Sequence, residues 1–277
     1  MQLETIYQYP VKSMMGGAVP TATLSVEGMS GDRAWAIRDE VLGCVRGAKK
    51  IGALMQLAAA HAIDGGVTIT LTDGAVVHSS EADVNAALSA ALGQSVSLWP
   101  LQPATDLDHY RRGPGVSDDI MVELRDMFGR EGDEPLPDFS KFPDALAEFE
   151  SPPGTYLDAY PIMLMTTSAM RTLSAALPDS VIDVRRFRPN LIIDTGDLLG
   201  HPELDWVGRR FSLGTAVIEM VATCPRCVMV TREVAPEVPS DRAILRHIVR
   251  ELNQDLGCYA TVVQPGEIRA GDQFVQI

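Results

Sequence analysis

Along this chain, apolar and polar positions group into short β-branched runs far more often than they recur with a helical period. Ile6–Val11, Ala22–Val26, Ala34–Arg38, Val67–Leu71 and Ala75–His78 read as strands in the first part. Thr72-Asp73-Gly74 between the last two is a hairpin signal, because Asp-Gly supplies the positive φ that a tight turn needs. In the second half, Ile162–Met165, Leu191–Asp194, Ala216–Met220 and Val228–Thr231 read as strands. Ala260–Val263 and Gln273–Ile277, around Pro265-Gly266 and Gly271-Asp272, read as a closing hairpin. Helical spacing is confined to a few places. Ser80 and Asp83 form a capping-box-like start to a helix with Val84, Leu88 and Leu92 in line, stopped by Gly93. Thr167 or Ser168 can cap a helix running to Leu177 before Pro178. Ser240 can cap another, with Ile244, Ile248 and Leu252 on one face and Gly257 as its end. The pattern predicts a mainly β protein with peripheral helices, an α+β chain of β-barrel type rather than a parallel α/β sheet.

Composition divides the chain into three. Between Asp118 and Asp158 stand twelve acids against three bases, with prolines at 135, 137, 143, 152 and 153. Apart from a short helix around Val122–Phe128, this stretch reads as an acidic, extended connector. The expected organisation is a first domain over 1–112, the connector over 113–160 and a second domain over 161–277. At 277 residues, two ordinary domains are an expected size.

Charge narrows the partners. Lys and Arg total 23 against 37 Asp and Glu, a formal charge of −14. An acidic surface disfavours nucleic acid, which binds through basic residues, and disfavours an anionic membrane face. The N-terminus MQLETIYQYPVKS has no basic segment followed by an apolar one, so no secretory leader is expected. The longest apolar region, Ile51–Ile63, contains Gln56 and His61 and is too short to span a bilayer. Four cysteines, at 44, 224, 227 and 258, are too few for a disulfide framework of this length, and a cytoplasmic protein with free thiols is expected.

The sharpest chemical feature is Cys224-Pro225-Arg226-Cys227. One reading is half of a zinc site, for which structural zinc wants four nitrogen or sulfur ligands. The other cysteines and the five histidines show no matching pair. A second is a thioredoxin-like disulfide, which should open a helix whose dipole lowers the thiol pKa. Here the motif runs into the β-branched Val228–Thr231. A third is a thiolate beside arginine, acting as a soft metal ligand or nucleophile. The plain alternative is a pair of small buried thiols. Elsewhere, Tyr9-Pro10-Val11-Lys12-Ser13 places a lysine and a hydroxyl after a strand. Gly31-Asp32-Arg33-Ala34-Trp35 places an arginine at the entry of the next, and Arg188-Pro189-Asn190 precedes Leu191–Asp194. Cations at strand ends can reach an anion, and arginine meets phosphate bidentately.

Taken in order, YPVKS, GDRAW, RFRPN and CPRC-VMVT resemble the MOSC family, the molybdenum-cofactor-binding domains related to the C-terminal part of molybdenum cofactor sulfurase. The resemblance runs from Tyr7 to Thr231 and is to the two-part form: an N-terminal MOSC-type β-barrel domain followed by the MOSC β-barrel domain. That form occurs in the mitochondrial amidoxime-reducing component and its bacterial relatives. The resemblance implies a molybdenum-cofactor oxidoreductase that reduces N-hydroxylated compounds such as hydroxylamines, amidoximes and N-hydroxylated bases by oxygen-atom abstraction at molybdenum. It implies Cys227 as the metal ligand and catalytic cysteine, with Pro225 and Arg226 helping to hold the cofactor. It implies Lys12, Ser13 and Arg33 at the phosphate end of the molybdopterin, Arg188 and Asn190 as another pair, and a hydroxyl from Thr166, Thr167 or Ser168. Some relatives carry an iron–sulfur module. No cysteine follows Cys258, so an external ferredoxin- or cytochrome-type electron-transfer protein with its reductase is the expected partner. Two alternatives remain open: a sulfur carrier using a cysteine persulfide on Cys224 or Cys227, and a protein that stores or delivers the cofactor.

Overall fold

The computed structural model describes residues 1–115 and 117–277. They fall into two compact units. The first gathers Met1–Gln8, Ala18–Ser30 and Tyr160–Ile277, and the second gathers Tyr9–Gly17 and Gly31–Ala159. The linear division at 112 and 160 is therefore interleaved. The strand Gln2–Gln8 lies antiparallel to Leu191–Asp194, and Thr21–Ser25 lies antiparallel to Gly266–Arg269. These ladders commit two early segments to the unit built mainly from the end of the chain.

In the first unit, eight strands pair in the order Phe274–Gln276, Arg210–Leu213, Ala216–Pro225, Asp255–Gln264, Ile162–Thr166, Leu191–Asp194, Gln2–Gln8 and Gly17–Val19. The pairing has two ends, so among the described residues it is an open order of strands rather than the closed barrel expected. Ala216–Pro225 and Asp255–Gln264 form the longest ladder, with three register shifts that bend it. Along Ala216–Pro225 buried and half-buried residues alternate without a break, which is the period-two pattern of a strand with one face on the core. Ile162–Thr166 and Leu191–Asp194 run parallel, with the helix Thr167–Ala176 in the connection between them. One core lies among Leu3, Ile6, Ile162, Leu164, Ile218 and Cys258, all fully buried. It includes an aromatic group in which Phe211 and Phe274 stack with centroids 4.3 Å apart, beside Trp206. A second core packs Leu173, Ile192, Cys224, Ile244 and Ile248 beneath the helices Thr167–Ala176 and Arg242–Glu251.

The second unit holds two three-stranded sheets. Trp35–Asp39 lies between Val96–Pro100 and Cys44–Arg46, and Val67–Thr70 lies between Ala58–His61 and Val76–His78. The expected hairpin is present. Gly74 takes φ +86, and Asp73 Oδ1 accepts from Ala75 N at 2.9 Å.

Several expectations are corrected. The helix Val84–Leu92 ends as predicted at Gly93, with φ +68, but its start has no side-chain cap. The helix Thr167–Ala176 is capped by Thr166, one residue before the predicted hydroxyls, through Ala169 N at 3.1 Å. Asp241, not Ser240, caps Arg242–Glu251. That helix finishes at Leu252. Gly257, expected as its stop, belongs to the next strand. Its φ is +81, and a Cβ there would stand 2.7 Å from Leu164 O. Val228–Thr231 is a 3-10 turn rather than a strand. The ladder partner of Pro225 is Asp255, the first residue of its strand, so no backbone remains opposite 228–231 to continue the sheet. The tail is not a hairpin of Ala260–Val263 with Gln273–Ile277: Ala260–Val263 lies in Asp255–Gln264, which pairs with Ile162–Thr166 and Ala216–Pro225. Gly266–Arg269 pairs with Thr21–Ser25, while Phe274–Gln276 pairs with Arg210–Leu213.

The acidic segment is not an extended linker. It contains the helix Ile120–Phe128 and the turns Phe139–Lys141 and Asp144–Ala147. It packs into the second unit through Phe149 and Tyr156, which join Ala36, Val45 and Tyr110 in a core. Burial of those aromatics overrides the composition of the surrounding surface positions.

Removing one ring of the stacked aromatic pair tests the core of the first unit. Phe274 is 1% exposed. Phe274→Ala is expected to cost about 3–5 kcal/mol in a urea unfolding experiment. A loss under about 1 kcal/mol would show that the terminal strand adds little to this core.

Candidate functional site

The strand Ala216–Pro225 carries Cys224 into the core and then delivers Cys227 to the start of the 3-10 turn. The two thiols therefore have different surroundings. Cys224 is buried, and burial pushes its pKa up. Cys258 is pushed up to about 12, chiefly by burial, and Cys44 is also buried with its pKa raised for the same reason. Cys227 alone among the four is only partly buried. The backbone beyond it closes through Val230 N to Cys227 O at 3.3 Å and through Thr231 Oγ1 to Val228 O at 2.8 Å. Among the described residues no three His, Cys, Asp or Glu side chains are grouped to hold a metal ion. The Cys224/Cys227 pair therefore finds no further ligands for a protein-only zinc site. The motif opens a four-residue 3-10 turn rather than an α-helix, so the dipole that tunes a thioredoxin-type thiol is not built here.

Arg226 fixes the loop that carries Cys227. Its guanidinium is buried and donates from Nε to Leu256 O at 2.7 Å and from Nη1 to Phe187 O at 3.0 Å. It also lies over the Phe187 ring at 5.4 Å. Its own N–H bonds Gln254 O at 2.9 Å. Phe187 ends the short helix Val184–Phe187, and the next residue, Arg188, is buried with φ +55. Asn190 is knitted into the sheet. Its N–H bonds Met163 O at 2.7 Å, its Oδ1 accepts from Met163 N at 3.2 Å, and its C=O accepts from Tyr7 N at 2.7 Å.

Thr166 and Ser168 are fully buried, with their hydroxyls 3.0 Å apart. Thr166 Oγ1 also donates to Glu203 Oε2 at 2.7 Å. Burial raises the Glu203 pKa, and the Thr166 bond only partly offsets it. Thr167 stands nearer the surface, beside Asp194 and Thr195.

Lys12, Ser13 and Arg33 belong to the second unit. Lys12 is buried, and its ammonium donates to Asp158 Oδ1 at 2.9 Å, Tyr156 O at 3.0 Å and Leu157 O at 3.4 Å. Burial lowers its pKa, while Asp158 opposes that shift. Burial by itself would raise the Asp158 carboxyl, but Lys12, Lys49 and Arg33 outweigh it and hold the group well below the usual carboxylate range. Ser13 Oγ accepts from Ala48 N at 2.9 Å. A Cβ on Gly47 would stand 2.9 Å from that hydroxyl, so a side chain there would push the hydroxyl off its bond to Ala48 N. Arg33 pairs with Asp32 and lies over the Tyr9 ring at 5.2 Å. Asp32 in turn accepts from Tyr9 N at 2.7 Å.

Backbone conformation links several of these residues. The described non-glycine residues with positive φ are Ser13, Arg33, Arg188, Asn253 and Gln254. Three of them are positions singled out from the sequence, and Gln254 holds the backbone of a fourth, Arg226. Such conformations cost free energy and concentrate where a site is held in shape. Asp158 and Glu203 carry no local sequence signal. Asp158 is one acid among twelve in its segment, and Glu203 lies in a short Pro-started turn without periodicity.

Comparison with known proteins agrees with the order of the motifs. Residues 1–106 match the MOSC N-terminal beta barrel domain, and residues 152–275 match the MOSC domain. No curated protein matches the chain in sequence. Among solved structures, the YuaD protein from Bacillus subtilis is similar over 99% of this chain and 93% of its own, at 12% identity and a TM-score of 0.45. YiiM from Geobacillus stearothermophilus is similar over 43% of this chain and 54% of its own, at 18% identity and a TM-score of 0.31. YiiM from Escherichia coli has the same coverage at 13% identity and a TM-score of 0.32. With both domain types matched in sequence order over most of its length, the chain belongs to the MOSC family in its two-part form.

Proposed function

We propose that this chain binds the molybdenum cofactor and reduces N-hydroxylated compounds such as hydroxylamines and amidoximes, taking electrons from a separate carrier protein. MOSC domains are associated with molybdopterin binding, which gives the general class. The observation that carries the reading is the contrast between Cys227 and the three buried cysteines, on a loop pinned by a buried arginine.

The residues of the first unit fit the group. A pterin dithiolene with a phosphate is soft at one end and anionic at the other. Cys227 offers a single accessible sulfur to a metal that takes its remaining sulfur ligands from the pterin. Pro225 ends the strand there, and Arg226 keeps the loop from shifting. Arg188 offers a guanidinium on left-handed backbone. In the second unit, Lys12 directs its three donors to Asp158 and two carbonyls, and Arg33 pairs with Asp32. Ser13 and Asn190 hold the local backbone through Ala48 and Met163. Thr166 bonds Glu203 and caps the following helix, Ser168 bonds Thr166, and Thr167 is the hydroxyl nearer solvent. When bound, the cofactor supplies two-electron chemistry at the metal. The protein orients it and limits water.

Metal analysis tests this directly. Protein made in a host that synthesises the cofactor should carry about one molybdenum per chain, lost in Cys227→Ala and kept in Cys224→Ala. Equal loss in both variants would overturn the ligand assignment. Wild-type protein should consume benzamidoxime with an artificial donor. Full metal content without turnover would favour cofactor delivery, and persulfide on a metal-free cysteine would favour sulfur transfer. Thiol accessibility gives an independent check. Iodoacetamide on the folded, cofactor-free protein should modify Cys227 well before Cys44, Cys224 and Cys258, with peptide mass spectrometry as the readout.

A further inference from the structure

The acidic segment of the second unit lines most of a cavity of about 450 Å³ that is partly open to solvent. That volume lies in the range of small-molecule sites, about 300–1,000 Å³. Leu124, Met127 and Phe128 of the helix Ile120–Phe128 form one apolar wall, and Phe139 and Phe142 form another. The three rings are arranged as a series. Phe128 meets Phe139 edge-on at 5.6 Å, and Phe139 meets Phe142 at 6.2 Å. Phe139 remains 42% exposed, an unusual position for a ring that has aromatic neighbours to pack against.

The charged side of the cavity holds Lys49, Arg112, Glu150 and Asp158, with Asp144 exposed to solvent. Asp158 is already taken by Lys12 at 2.9 Å and lies 3.7 Å from Lys49. Arg112 spends Nη2 on Leu146 O and Phe149 O, and its Nη1 stands 3.9 Å from Glu150. Its Nε is buried and has no acceptor among the described residues. A buried charged donor without a partner is costly. An adjoining cavity of about 170 Å³ shares Lys49, Arg112 and Glu150 and adds Arg46 and Lys50 together with Asp118 and Glu123, the last of which accepts from Lys50. Glu150 and Asp158 each already face a cation of this wall, and Asp144 stands in solvent. A carboxylate supplies the acceptor that Arg112 lacks, and aromatic walls suit a ring.

We propose that this cavity binds a small aryl carboxylate, with its ring against Phe139 and Phe142 and its carboxylate on Arg112 and Lys49. The site lies wholly within the second unit and needs no cofactor, so its test is independent of the molybdenum assignment.

Isothermal titration calorimetry on the full-length, cofactor-free chain provides that test, using 4-phenylbutyrate and its neutral counterpart 4-phenylbutan-1-ol. Saturable binding of the carboxylate is expected, with the alcohol at least tenfold weaker. Lys49→Gln and Arg112→Lys should each weaken the carboxylate severalfold and leave the alcohol unchanged. Phe139→Ala, at a half-exposed ring that the fold can lose, should weaken both ligands. Thermal melts by circular dichroism identify any variant that fails to fold, and Lys49→Gln and Phe139→Ala then decide the question. Equal affinity for acid and alcohol, no binding of either at millimolar concentration, or wild-type affinity in both of those variants would overturn the proposal.

Discussion

The placement of Cys227 depends on a buried guanidinium. Arg226 reaches back from the loop to two carbonyls, one on the strand Asp255–Gln264 and one at the end of the helix Val184–Phe187. A charge so enclosed is stable only while its donors are met, so the carbonyls of Leu256 and Phe187 are held as firmly as the arginine. The strand ladder ends at Pro225, the chain cannot continue as sheet, and the next residue after the arginine emerges with its thiol partly open. Gly257 belongs to the same arrangement, since a side chain there would press on Leu164 O and on the guanidinium itself.

The second unit solves a related problem with a lysine. Lys12 is buried with three acceptors, one of them a carboxylate from a segment more than a hundred residues away in sequence. Its ion pair orders Tyr156–Asp158, and Tyr156 and Phe149 carry the rest of the acidic segment onto a core. Composition alone suggested a solvated linker. A few large rings outweigh many exposed acids, because the acids remain in water at little cost while each buried ring gains on the order of 1.5–3 kcal/mol.

Much of the fold was legible from residue patterns. Many of the strands, the Asp73-Gly74 hairpin and the Gly93 helix stop follow from local chemistry that acts within a few residues, whereas the first strand lies at Gln2–Gln8 rather than Ile6–Val11. The failures have a common physical origin. Val228–Thr231 has the composition of a strand but lacks a backbone partner. The last two strands look like neighbours in sequence, yet each pairs with a different and earlier segment. Cap assignments missed by one residue because adjacent hydroxyls and acids are chemically equivalent until the first turn selects one.

By itself, the sequence determined the mainly β character, the two-part family and the set of cations, hydroxyls and thiols worth examining, since these reside in residue identity and order. Tertiary structure decided which of the four thiols meets solvent, which acid neutralises Lys12, and that the early strand Gln2–Gln8 belongs with the late ones. Burial, ladder pairing and the acceptors of a buried charge are properties of segments brought together across the chain, and no local pattern encodes them.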